Sequence, residues 1–247
     1  AHLHVIEFQK RGLPHAHILI FLSNEDKPRT PEEIDFMVSA QLPCERADPD
    51  LFKTVTRHML HGPCGRGYND KCVCIDPDTK MCKKRYPKTF QDSTTIGDDS
   101  YPTYARPNNG RTVQRPHPTA GPGETILLDN RWVVPYNPYF LLKYDCHINV
   151  EICNSIRTIK YMHKYVYKGH DRANARFHRP DGVASDAAGA APDQPRNEVQ
   201  EYPDGRYISA SEAAYRILEL PMHEMYPAVQ RLQLHLDGDE RVIFHDG

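Results

Sequence analysis

Two histidines separated by one residue, in Gly12-Leu13-Pro14-His15-Ala16-His17-Ile18-Leu19-Ile20, are the first residues whose types and spacing suit chemistry. Side chains on a strand alternate between faces, so His15 and His17 point the same way and can share one metal ion. The β-rich runs 2–8 and 15–22 are joined by Gln9-Lys10-Arg11-Gly12-Leu13-Pro14, whose Gly and Pro suit a turn, and a β-hairpin is expected. If it pairs His15 with Gln9 and His17 with Glu7, all four side chains share a face. Glu7 is then the third ligand, with Gln9 as its competitor. Two imidazoles and a carboxylate leave open positions for water or a phosphate oxygen, as a Lewis-acid site requires. Taken alone, His-x-His also suits a half-buried strand carrying two hydrogen-bonded histidines.

A second group lies in Ser155-Ile156-Arg157-Thr158-Ile159-Lys160-Tyr161-Met162-His163-Lys164-Tyr165-Val166-Tyr167-Lys168. At about 100° per residue, Ile156, Ile159, Met162 and Val166 form one apolar stripe of a helix that ends at Gly169. Tyr161 and Tyr165 stand one turn apart on its flank, with Arg157, Lys164 and Lys168 beside them. A nearby cation favours the phenolate and neutralises a phosphate under attack, so these tyrosines are candidate nucleophiles. Tyr-x-x-Lys occurs twice in tandem here; the plainer reading is an amphipathic helix with boundary tyrosines.

Cys64, Cys72, Cys74 and Cys82 lie within 19 residues, with His58 and His61 just upstream. Thiolates and imidazoles are preferred zinc ligands, and a structural zinc on Cys64, Cys82, one of Cys72 or Cys74, and one histidine is expected. The alternative is a loop of reduced, unliganded thiols. A zinc clip would brace a long loop beside the basic run Lys80, Lys83, Lys84, Arg85 and Lys88, which would follow a DNA backbone. The remaining cysteines, Cys44, Cys146 and Cys153, read as buried or strand residues.

The elements that must position these groups come in mixed order. Helices are expected over 31–41, 51–60 and 211–218, and strand-like segments over 132–142, 147–152, 229–236 and 242–244. Residues 58–90 read as a Cys/His-rich insertion, 91–125 as short strands at most, and 170–200 as a flexible insertion. The order lacks regular β-α-β alternation, so the expected class is α+β, with a mainly antiparallel central sheet and flanking helices in one domain over 1–247. A net charge of −2 argues against bulk electrostatic coating of nucleic acid and leaves DNA contact to local basic clusters. No apolar stretch has the length of a membrane span and none resembles a secretion signal, so an intracellular protein is expected; with that, the odd count of seven cysteines disfavours a disulfide framework.

A strand with His-x-His and a later helix with Tyr-x-x-x-Tyr resemble the two-tyrosine class of HUH endonucleases. The strings Val5-Ile6-Glu7-Phe8-Gln9-Lys10-Arg11-Gly12-Leu13-Pro14-His15-Ala16-His17, Tyr136-Asn137-Pro138-Tyr139, Asn154-Ser155-Ile156, Lys164-Tyr165-Val166-Tyr167-Lys168-Gly169-His170-Asp171 and Tyr207-Ile208-Ser209-Ala210-Ser211-Glu212-Ala213 are similar to the Rep domain of Helitron-like rolling-circle transposases. The resemblance spans nearly the whole chain. It implies that Mg²⁺ or Mn²⁺ on His15, His17 and Glu7 (or Gln9) polarises a phosphate in single-stranded DNA. Tyr161 or Tyr165 would attack to leave a 5′-phosphotyrosine and a free 3′-hydroxyl, with Lys164 and Lys168 steadying phosphate or phenolate. The second tyrosine would serve a strand-transfer step.

The family also implies one or more Rep strands before this hairpin, a nuclear location, and a helicase domain on the same full-length polypeptide. No Gly-x-x-x-x-Gly-Lys-Ser/Thr loop occurs here. Two other readings compete: a degenerate transposon-derived fragment that binds DNA or zinc, and an unrelated metal hydrolase using His15, His17 and His163 or His147.

Overall fold

The computed structural model describes residues 1–8, 12–65, 67–97, 101–121, 123–153 and 208–228. In chain order the elements are β1 (His2–Phe8), β2 (Pro14–Ile20), α1 (Pro31–Met37), α2 (Pro49–His58), β3 (Thr95–Ile96), β4 (Pro102–Thr103), β5 (Val113–Pro116), β6 (Thr125–Leu128), a 3₁₀ turn (Asn130–Trp132), α3 (Pro138–Tyr144), α4 (Ala210–Ile217) and β7 (His223–Tyr226). The class is α+β, with small antiparallel sheets and four helices among the described residues. The chain divides into two units, one formed by Ala1–Glu25 with Lys160–Gly247 and the other by Asp26–Ile159.

In the first unit, alternation along β1 buries Leu3 and Val5, which pack with Leu19 and Met225. β1 is the central strand, antiparallel to β2 on one side and β7 on the other. The hairpin register differs from the expected one: Glu7 pairs with His15 and Val5 with His17, and Phe8–Pro14 closes the ladder. A proline can stand at the first residue of a strand, so pairing runs to Pro14 and leaves 9–13 for the turn. A shift of two residues keeps every side chain on its face, so Glu7, His15 and His17 still point the same way. Gly12 has φ +78°, and a Cβ there would lie 2.8 Å from Ser209 Cβ, so only glycine fits this approach. Ser209 caps α4 by accepting from Glu212 N, and Tyr215 on that helix meets the Phe8 ring edge-on.

Three helix starts of the second unit follow capping chemistry. Thr30 and Glu33 form a capping box on α1, Asp48 accepts from Leu51 N at α2, and Asn137 accepts from Phe140 N at α3, each with proline in the first turn. One core gathers Leu42, Leu51, Val55, Met59, Val133, Val134, Tyr136 and Leu141; a neighbouring one holds Cys64, Ile75, Cys82, Leu128 and Trp132. The buried Arg106 donates to the carbonyls of Ala40, Asn130 and Val133, tying three loop segments together.

Segment 132–142, expected as strand-like, is instead the end of the 3₁₀ turn, isolated bridges at Val133 and Tyr136, and α3. Asn137-Pro138 starts a helix that outweighs the strand-like look of Tyr139-Phe140-Leu141-Leu142. Residues 147–152 form no strand: Val150 N donates to Pro135 O and Ile152 N to the Tyr104 hydroxyl, too few contacts for a ladder. β7 was not expected from the sequence. The helix expected over 155–168, the insertion 170–200 and the strands at 229–236 and 242–244 lie outside the described residues.

Candidate metal centre

The candidate metal ligands of the second unit are placed by the end of α2 and by a reversal of the chain over 74–83. After α2, Val134 N donates to Met59 O, Leu60 bridges Val133, and His61 N donates to Trp132 O, which anchors the backbone of His61. Gly62 then turns with φ +86°; a Cβ there would meet Cys64 N at 2.8 Å and the Trp132 ring at 3.0 Å. This bend carries Cys64 back under His61. Further along, Asp76 Oδ1 accepts from Asp78 N and Thr79 N, Ile75 bridges Cys82, and Lys83 N donates to Cys74 O. That reversal sets Cys74 beside Cys82.

The ligand atoms of His61, Cys64, Cys74 and Cys82 all lie within 4.8 Å of one another, and this group can hold a metal ion. His61 Nε2 is 3.4 Å from both Cys64 Sγ and Cys82 Sγ. Metal–sulfur bonds of about 2.3 Å and metal–nitrogen bonds of about 2.1 Å at a tetrahedral angle put sulfur and nitrogen about 3.6 Å apart, so the spacing fits a four-coordinate ion. The His61 ring is also stacked on Tyr86, with centroids 4.2 Å apart.

Protonation follows from burial and neighbours. Burial, reinforced by Lys84, Lys88 and His147, lowers His61 to about 4, so it offers a neutral imidazole. Burial, then hydrogen bonding with Cys74 and Cys82, raises Cys64. Burial opposes ionisation of Cys82 too, but the backbone N–H groups of Tyr86 and Lys84 and the thiols of Cys64 and Cys74 outweigh it and hold Cys82 below the usual thiol value. Of this buried pair, Cys82 is therefore readier than Cys64 to give up its proton. A bound cation would reverse the penalty on Cys64, because a coordinated thiol is deprotonated.

The other sequence candidates are placed differently. His58 Nε2 meets Asp145 Oδ1 at 2.9 Å, and its carbonyl lies 2.7 Å from His147 Nδ1, so His58 serves α2 and the 145–147 segment. Cys72 stands outside the group of four, in the turn where Ile75 N donates to its carbonyl. A sequence signal for Cys74 existed in Asp76-Pro77-Asp78-Thr79, a turn whose flanks bring 74 and 82 together. No protein-family model matches this chain, and no curated relative does.

In the first unit, Glu7 and His15 face each other across the hairpin and His17 is diagonal to Glu7. His17 Nε2 lies 3.8 Å from Glu7 Oε2, and the His15 and His17 ring centroids are 4.6 Å apart. These three are not gathered as closely as the four around His61, which form the one such group of His, Cys, Asp and Glu among the described residues. Gln9, Tyr161, Tyr165, Lys164 and Lys168, with the basic residues around those tyrosines, lie outside the described residues. The other basic run lies within the described residues: Lys80, Lys83, Lys84 and Arg85 are exposed, while Lys88 donates to Lys84 O and sits 4.9 Å from the Tyr86 ring centroid. No helix among the described residues is long and apolar enough to cross a membrane.

Proposed function

We propose that this chain nicks single-stranded DNA and transfers the cut strand with metal assistance, in the manner of the two-tyrosine HUH endonucleases of Helitron-like rolling-circle transposases. The observation that carries the reading is the face of the β1–β2 hairpin on which Glu7, His15 and His17 stand together. These three would hold Mg²⁺ or Mn²⁺, which supplies Lewis-acid polarisation of the scissile phosphate. Tyr161 or Tyr165 would attack phosphorus through its phenolate oxygen, forming the phosphotyrosine bond as the P–O3′ bond breaks. The proton lost by the phenol goes to solvent, and another taken up by the leaving oxygen gives the free 3′-hydroxyl. Lys164 and Lys168 would hold phosphate and phenolate charge. The proposal extends to a central antiparallel sheet with flanking helices, a nuclear location and a helicase domain on the same polypeptide.

At the second centre we assign zinc to His61, Cys64, Cys74 and Cys82, in a structural role. Three thiols and one imidazole use all four positions of a tetrahedral ion and leave none for substrate. The closeness of this set beside the looser Glu7, His15 and His17 favours one other reading, a transposon-derived fragment that binds zinc and DNA without cutting.

The deciding experiment incubates the chain with a labelled single-stranded oligonucleotide and Mn²⁺ and maps any covalent adduct. The endonuclease reading expects an adduct on Tyr161 or Tyr165 that the Tyr161→Phe, Tyr165→Phe double variant abolishes. Zinc and DNA binding without an adduct decides for the non-cutting fragment.

A further inference from the structure

The basic run that follows Cys82 is built onto the His61 centre. Lys83 N donates to Cys74 O and Arg85 N to Cys82 O, each at 2.7 Å, and the backbone N–H groups of Lys84 and Tyr86 donate to Cys82 Sγ. The backbone from 83 to 86 is thereby fixed on two of the four candidate ligands, Cys74 and Cys82. Lys88 braces the same turn: its Nζ donates to Lys84 O at 2.8 Å and lies over the Tyr86 ring. With the backbone bonded inward, the side chains of Lys83, Lys84 and Arg85 stand exposed.

Residues 79–91 hold five cations and no Asp or Glu, in a chain of net charge −2. Arg57 and Arg131 are each paired with a carboxylate, whereas Lys83, Lys84 and Arg85 enter no such ion pair among the described residues. Asp76, on which the charge of Lys83 acts, accepts at Oδ1 from the N–H groups of Asp78 and Thr79. Three adjacent cations on a braced turn repel one another, and a polyanion relieves that repulsion. Lys88 N donates to Arg131 O, and the Arg131 guanidinium lies 4.6 Å from the centroid of the partly exposed Phe90 ring. An aromatic ring beside cations suits a strand with unstacked bases better than a lipid surface. We infer that Lys83, Lys84 and Arg85 form a contact surface for the phosphate backbone of single-stranded DNA, held in shape by the metal on Cys74 and Cys82. The inference rests on the assignment of zinc to His61, Cys64, Cys74 and Cys82, and it holds whether or not the strand is cut.

The test measures the affinity of the full chain for a labelled oligothymidylate by fluorescence anisotropy over a range of salt, without added Mn²⁺ or Mg²⁺. Zinc content and melting temperature are recorded for every sample. The Lys83→Gln, Lys84→Gln, Arg85→Gln triple variant is expected to keep its zinc and to bind on the order of 10-fold more weakly in 0.1 M salt. Its slope of log affinity against log salt falls by about 2, at about 0.7 per phosphate contact. The loss is the same on an oligonucleotide of mixed sequence, because phosphates carry no sequence information. A control with the same change in net charge, Lys27→Gln, Arg46→Gln, Lys53→Gln, exposed elsewhere in the second unit, changes affinity by less than about 2-fold. Zinc-stripped wild type binds as weakly as the first triple variant, and Zn²⁺ restores it. Should the first triple variant not fold, the three single variants are read in its place, each with about a third of the slope change. Unchanged affinity and slope in the triple variant overturn the inference. So does an equal loss in the control, a folded zinc-stripped chain that binds like the wild type, or a wild-type chain that binds phosphatidylserine vesicles and no oligonucleotide. A chain that takes up no zinc removes the underlying assignment instead, so the two failures are distinguishable.

Discussion

The four ligand atoms around His61 make a demand on individual residues that neighbouring look-alikes do not share. Cys74→Ser or Cys82→Ser removes one thiol of the tetrahedron, and bound zinc is expected to fall well below one per chain when metal content is measured after gel filtration. Cys72→Ser and His58→Ala leave it unchanged, because neither side chain belongs to the group. Asp129 makes a different prediction. It accepts from Arg131 N as the cap of the 3₁₀ turn and pairs with the Arg131 guanidinium at 2.7 Å. Burial opposes its ionisation, but the Arg131 side chain and backbone outweigh it and hold the carboxyl below the usual value. A depressed carboxylate lends stability that is fully present above its unfolded value, near pH 3.9, and is lost as pH falls through the lower folded value. Asp129→Asn is therefore expected to cost about 1 kcal/mol at pH 7 in urea unfolding, with the gap to wild type narrowing below about pH 4.

Elements show why some placements were legible in the sequence and others were not. The shared face of His15 and His17 follows from a period of two, which a register shift of two cannot disturb, so the face was readable although the pairing was not. α3 was misread because four apolar or aromatic residues look alike in a short strand and a short helix. Its Asn137-Pro138 start is a local signal that outranks them once the cap is seen to accept from Phe140 N. β7 has no local signal of comparable strength: His223-Glu224-Met225-Tyr226 becomes a strand because the open edge of β1 receives it. Two substitutions test elements directly. Gly12→Ala combines a left-handed φ with a clash against Ser209, and should lower the melting temperature and perturb the hairpin resonances of His15 and His17. Leu141→Ala opens a hole at a fully buried position of α3 and should cost about 2–5 kcal/mol in denaturant unfolding.

On the scale of the whole molecule, the proposed chemistry asks for two metals of opposite character, and that difference is itself testable. The His61 centre is closed and rich in sulfur, with Cys64 and Cys82 buried, so its ion should exchange slowly and be held against oxygen-donor competition. The Glu7, His15 and His17 face has one carboxylate and two imidazoles, its Glu7 and His17 side chains are 30% and 19% exposed, and its ion should exchange fast. Brief EDTA treatment followed by gel filtration is expected to leave zinc at one per chain while abolishing adduct formation, and added Mn²⁺ should restore the adduct at once. Prolonged treatment with a thiol-competing zinc chelator should instead raise protease cleavage within 62–90, where the centre ties the end of α2 to the 74–83 reversal, and Mn²⁺ alone should not reverse that cleavage. If both treatments remove zinc and activity together and zinc alone restores both, the chemistry depends on the His61 centre. The division of labour between a fast-exchanging ion for phosphate and a slow one for the loop would then be wrong.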